Sequence, residues 1–189
     1  VSRHFEQMLT DFTFVQKAIV AALQLEQAES PDAFRSMMGT HFIHRMLASK
    51  VMAAREHVGA QLWTADGKLL NSSQLWPIPE RSIAHRKYFK DLKAGVTDRP
   101  FVVELVTSQF VDGRALVFAH KIVSPTGEFL GLLTRSLSPK SFEEFFASVA
   151  LHKNSSIAML HSDGTLIARF PQAEHLIGKN IAALVTRRW

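Results

Sequence analysis

The sequence predicts an α+β fold in which a helical N-terminal stretch precedes an antiparallel sheet. Three features carry that reading. Apolar residues near the N-terminus recur at the three-and-four spacing of a helix. The period then changes to that of strands divided by Asp-Gly and Pro-x-Gly turns, and one strand–turn–strand unit occurs twice.

Phe5, Met8, Leu9, Phe12, Val15, Ile19 and Leu23 form one stripe, with Arg3, Glu6, Asp11, Gln16, Lys17 and Gln24 on the remaining face. This pattern predicts a long leading helix of about 25 residues, roughly 40 Å in length. Ser30-Pro31-Asp32 combines an N-cap, a proline at the first helical position and an acid in the first turn, so a second helix is expected from there towards Ala54. From Val58 the residues around Leu62-Trp63-Thr64 and Leu69-Leu70-Asn71 read as two strands joined at Asp66-Gly67. Pro77 to Pro79 is a loop, and Ile83 to Lys93 a short helix closed by Gly95. Three further strands are expected over Phe101 to Ser108, Ala115 to Val123 and Phe129 to Leu137. Ser138-Pro139 then opens a helix carrying Phe142, Phe145, Phe146 and Val149. A second hairpin follows at Asp163-Gly164, repeating the first at a period of about 97 residues.

The chain has 189 residues, 47% hydrophobic and 21% charged, the proportions of a globular domain able to bury a core. The formal net charge of +5 permits attraction to anions. The aromatic residues are mostly phenylalanines at core spacing, not interleaved with basic residues, so no nucleic-acid partner is expected. With no cysteine, disulfides, Cys-ligated zinc, iron–sulfur clusters and thiol catalysis are excluded. Neither a Gly-x-Ser-x-Gly turn nor a glycine-rich phosphate loop is present, and no enzymatic activity is expected of this segment. His41 and His44, three apart on one helix, read as solvated histidines better than as metal ligands, and no metal is expected. The apolar stretches around Ala18 to Leu25 and Leu130 to Leu133 are too short to span a bilayer. Because the chain opens on Val1, it reads as a piece of a longer protein whose flanking transmembrane helices lie outside it.

The order of motifs resembles the double Cache, PAS-like extracytoplasmic sensor modules of bacterial membrane receptors. The resemblance rests on the leading helix, the Asp66-Gly67 hairpin, His85-Arg86-Lys87-Tyr88-Phe89, the strand Gly127-Glu128-Phe129-Leu130-Gly131-Leu132-Leu133, Phe142-Glu143-Glu144-Phe145-Phe146, and Asp163-Gly164-Thr165 through Pro171. It implies a long N-terminal helix followed by a PAS-like Cache antiparallel sheet, with a partial second Cache unit. The corresponding divisions are N-terminal helices over 1–56, a membrane-distal Cache domain over 57–138, and a linking helix with the start of a membrane-proximal Cache domain over 139–189. Receptors of this kind include diguanylate cyclases and histidine kinases, so the resemblance implies a periplasmic, inner-membrane-anchored sensor acting on a cytoplasmic output domain.

In the amino-acid-binding members of that family, an arginine and two following aromatics of the short helix hold the ligand carboxylate, and an aspartate at the end of the last strand takes its amine. The matching positions are Arg86, Tyr88 and Phe89, but the aspartate position falls at or near Ser136, and the position of the family's helix-opening aspartate is His85. This pattern implies a small carboxylate ligand without an amine, or no ligand. Trp63, Phe101, Phe118, His120 and Thr134 are the strand residues expected around the same pocket. No cofactor is expected. The leading helix points to a parallel homodimer, with packing wholly against its own sheet as the simpler alternative. Two other readings stand beside ligand sensing: a ligand-free structural and dimerisation module, and a PAS-type haem or flavin domain, for which His120 would be the axial ligand.

Overall fold

The computed structural model describes residues 10, 14, 17–21, 28–53, 59–96, 101–110, 113–137, 139–150, 155–161 and 163–181. Residues 10, 14 and 17–21 are helical, and Ile19 and Val20 are buried there. The rest of the expected leading helix lies outside the described residues.

The stretch expected as one helix from Pro31 is two, α1 (Pro31–Met38) and α2 (His41–Ala53). Ser30 caps α1 by accepting the Ala33 N–H on its hydroxyl at 3.2 Å, as its Ser-Pro opening requires. The break comes at Gly39-Thr40. Gly39 closes α1, and Thr40 restarts the chain, its hydroxyl accepting from the Ile43 N–H at 3.4 Å. Buried Asn71 holds this junction, donating from Nδ2 to the carbonyls of Met38 at 2.7 Å and Thr40 at 2.9 Å.

Five strands form one antiparallel-type sheet in the order β2-β1-β5-β4-β3, built from β1 (Ala60–Thr64), β2 (Leu69–Ser72), β3 (Phe101–Thr107), β4 (Arg114–Val123) and β5 (Phe129–Leu137). Internal strand β1 pairs antiparallel with both neighbours, running from Ala60 opposite Arg135 to Thr64 opposite Gly131 on the β5 side. Its alternation separates two faces. Leu62 and Leu133 pack with Phe34, Met38, Ile43 and Leu47 of the helices, whereas Gln61 and Trp63 point the other way. The helix α3 (Lys87–Ala94) is shorter than the expected Ile83 to Lys93, because Arg86 N–H bonds back to the Ile83 carbonyl in a turn at 2.9 Å. Gly95 closes it in the left-handed conformation, φ 67°.

After α4 (Pro139–Val149) comes the hairpin of β6 (Ile157–Leu160) and β7 (Leu166–Phe170), and the repeat read from sequence extends to individual hydrogen bonds. The turn bonds Gly67 N–H to Thr64 O and Thr64 N–H to Lys68 O recur as Gly164 N–H to His161 O and His161 N–H to Thr165 O. A register shift falls at Leu62/Trp63 in one copy and at Met159/Leu160 in the other. The returning chain pairs alike too, Ile83 N–H to Gly67 O and Ile181 N–H to Gly164 O. The chain divides into two compact units, Val1–Glu104 with Val117–Ser136, and Leu105–Leu116 with Leu137–Trp189. Among the described residues no helix is long and apolar enough to cross a membrane.

Gly131 fixes the tightest approach in the sheet, since a Cβ there would lie 2.0 Å from the Trp63 carbonyl oxygen. Gly131→Ala is expected to destabilise the chain by about 3 kcal/mol, as overpacking against backbone does, read as a lowered urea midpoint at unchanged slope.

Candidate functional site

The face of the sheet turned away from α1 and α2 carries a buried polar set. Trp63, 1% exposed, donates its indole N–H to the Thr134 hydroxyl at 2.7 Å. That hydroxyl donates onward to Gln61 Oε1 over a longer 3.4 Å. Thr134 stands opposite Gln61 across the β1–β5 ladder, so the Trp63 contact is the diagonal one that a large aromatic can reach. Ser136, half-buried, follows Thr134 by two residues and shares its face by strand alternation.

Helix α3 contributes Tyr88, Phe89 and Leu92, all buried. Phe89 meets Phe129 edge-on, with ring centroids 6.0 Å apart. Burial pushes the Tyr88 phenol well above its ordinary value, so it is a neutral hydroxyl at all physiological pH. Lys93 anchors the helix end, its Nζ donating to the Ala65 carbonyl at 2.8 Å and lying 5.8 Å above the Phe89 ring.

Half-buried Arg86 occupies the N-cap position of α3 in extended conformation and makes no side-chain capping bond. Glu104 of β3 takes that place, its carboxylate accepting the Tyr88 backbone N–H. Burial raises the Glu104 carboxyl above its usual range. The Tyr88 N–H, Lys87 and Arg86 pull it back down, and Asp91, ion-paired to Lys87, pushes it up. Glu104 and Gln61 were not among the residues expected here. A lone acid inside the apolar run Phe101-Val102-Val103-Glu104-Leu105-Val106 was the available signal for the first.

Arg86 at the cap of α3 and Tyr88 and Phe89 within it are thus close along the chain, and Trp63, Thr134 and Ser136 are together on one face of the sheet. Phe118 is buried in β4. His120 sits differently. Ile122, two residues along β4, belongs to the helix-side core, and Lys17 of the N-terminal helical segment is the largest influence after burial that lowers the His120 pKa. His120 therefore turns toward the helices and not toward Trp63. Phe101 lies in β3, and its side chain is outside the described residues. His41 and His44 stack at 5.5 Å beside Trp76, and the His44 Nδ1 lies 2.6 Å from the Ser72 carbonyl. Among the described residues no group of His, Asp and Glu converges to hold a metal ion.

No protein-family model matches the sequence, and no curated protein matches it. Solved structures do match its fold. The extracellular domain described as that of a histidine kinase, rpHK1S-Z16, superposes with a TM-score of 0.64 at 20% identity, over 100% of this chain and 78% of that one. The ligand-binding domain of Mlp24 with asparagine gives 0.66 at 16% identity, over 98% and 71%. The periplasmic sensory domain of the Campylobacter jejuni chemoreceptor Tlp1 gives 0.67 at 10% identity, over 97% and 72%. The chain has the α+β, Cache-type fold of such receptor sensor domains.

Two outcomes follow from this geometry. Thr134→Val leaves the buried Trp63 N–H without an acceptor and should cost about 1–3 kcal/mol in chemical unfolding, whereas Thr134→Ser should cost far less. The raised Glu104 pKa means that the folded state binds the proton more tightly, so its contribution to stability is full below the ordinary value of 4.5 and declines as pH rises through the folded value. Glu104→Gln keeps an acceptor and should gain stability relative to the parent as pH rises above the ordinary value of 4.5 in paired urea titrations; an unchanged difference would contradict the assignment.

Proposed function

We propose that this chain is the extracytoplasmic, periplasmic sensor region of a bacterial membrane receptor. It takes a small carboxylate ligand on the first unit and acts on a cytoplasmic output domain of the histidine kinase or diguanylate cyclase kind. The observation that carries the reading is the half-buried Arg86 at the start of α3, followed by the buried pair Tyr88 and Phe89. A planar guanidinium offers a carboxylate two parallel hydrogen bonds, which lysine cannot match. The ligand would lie between α3 and the sheet face of Trp63, Thr134 and Ser136, with Ser136 giving a hydroxyl where an acid would have favoured an amine. The fold supports the sensor role, and so do the bound molecules named for structures of the same fold, asparagine for Mlp24 and L-serine for the Pseudomonas fluorescens chemoreceptor CtaA. Binding would bias a dimer whose flanking helices cross the membrane, by favouring one of two arrangements of the helices against the sheet.

One observation favours a second reading, a ligand-free structural module. Trp63, Tyr88 and Phe89 are each under 5% exposed, and the Trp63 N–H is already satisfied within the sheet. A thermal-shift screen against small carboxylates, repeated on Arg86→Ala, separates the two. A ligand at 100 times its dissociation constant should add about 2.7 kcal/mol of stability, several degrees for this size. A carboxylate hit lost in folded Arg86→Ala supports the sensor site; no shift from any carboxylate supports the module.

A further inference from the structure

The second unit contains its own cleft, of about 750 Å3, walled by Arg114 at the start of β4, Lys140 and Glu143 on α4, and Glu174, His175 and Ile177 of the turn after β7. That volume is in the range of small-molecule sites. Two features make it more than a surface fold. The exposed Arg114 side chain lies across Gly178, where a Cβ would fall 1.4 Å from its Nη1 and 2.4 Å from its Cζ, so any side chain there would displace the guanidinium from the cleft. Among the described residues no carboxylate pairs with it. The acids beside it are also incompletely compensated. Burial raises the Glu143 carboxyl, Glu174 and Glu144 raise it further by repulsion, and Lys140 opposes them only weakly. Glu143, Glu174 and His175 do not converge as metal ligands. A simple anion would meet the two acids, and a simple cation would meet Arg114 and Lys140.

We propose that this cleft is a second binding site, separate from the face of the first unit, for a small organic zwitterion of the α-amino-acid type. Arg114 takes its carboxylate, and Glu143 with Glu174 takes its ammonium group. Ile177 supplies the apolar contact for a side chain.

The test is nuclear magnetic resonance of the 15N-labelled chain with pools of natural α-amino acids at millimolar concentration, followed by titration of any hit against variants. A hit should move the amide signals of Gly113, His175 and Gly178. Its affinity should fall about tenfold or more in Arg114→Lys, which keeps the charge and loses the fork, and in Glu174→Gln, an exposed change that leaves folding intact. Arg86→Ala should leave that affinity unchanged. The proposal is overturned if no pool moves those signals, if neither cleft variant weakens a hit, or if Arg86→Ala alone abolishes it. The last result would place the amino acid on the first unit, so failure here is distinguishable from failure of the Arg86 site.

Discussion

Strand β1 is buried along its whole length between β2 and β5, and the first unit is organised around that position. Residues on its two sides do different work because a strand alternates. Leu62 closes the core made with α1 and α2, while Gln61 and Trp63 give the opposite face its polar set. The backbone of Gly131 comes so close to the Trp63 carbonyl that no side chain fits between them. That contact fixes the β1–β5 register, and with it the diagonal that brings the indole N–H to Thr134. A slip of one residue would exchange the two faces and bury Gln61 among leucines.

Helix α3 meets this face with charges that are arranged rather than neutralised. Its first turn lacks a capping side chain of its own, and an acid from β3 supplies one. Glu104 then sits in reach of Arg86, Lys87 and Asp91, and its raised carboxyl shows that burial outweighs their net attraction. The start of α3 thus carries one guanidinium beside one incompletely compensated carboxylate.

The two hairpins show how one local solution can be used twice. The same turn bonds, the same position of the register shift and the same return pairing recur around Gly67 and Gly164. The surroundings differ. Trp63 is enclosed in the first copy, while Leu160, its counterpart across the repeat, is 38% exposed. Shared backbone chemistry therefore supports different side-chain environments, and in the second unit the polar residues gather instead in the cleft around Arg114 and Glu143.

The strands, the Asp-Gly hairpins, the Ser-Pro helix starts and the repeat were legible in the sequence, because periodicity, caps and turn residues act over a few positions. So was the short helix of Tyr88 and Phe89, although it starts at Lys87 and leaves Arg86 at its cap. The break at Gly39-Thr40 depended on Asn71, some thirty residues further on, offering its amide to two carbonyls at the junction. The partnership of Trp63 with Thr134 and the turning of His120 toward the helices depended on strand pairing and on which face each strand presents. Glu104 reached the start of α3 for the same reason. Local order follows from short-range sterics and hydrogen bonding, which the sequence states directly. Which buried charge meets which helix end was decided only when distant strands came into register.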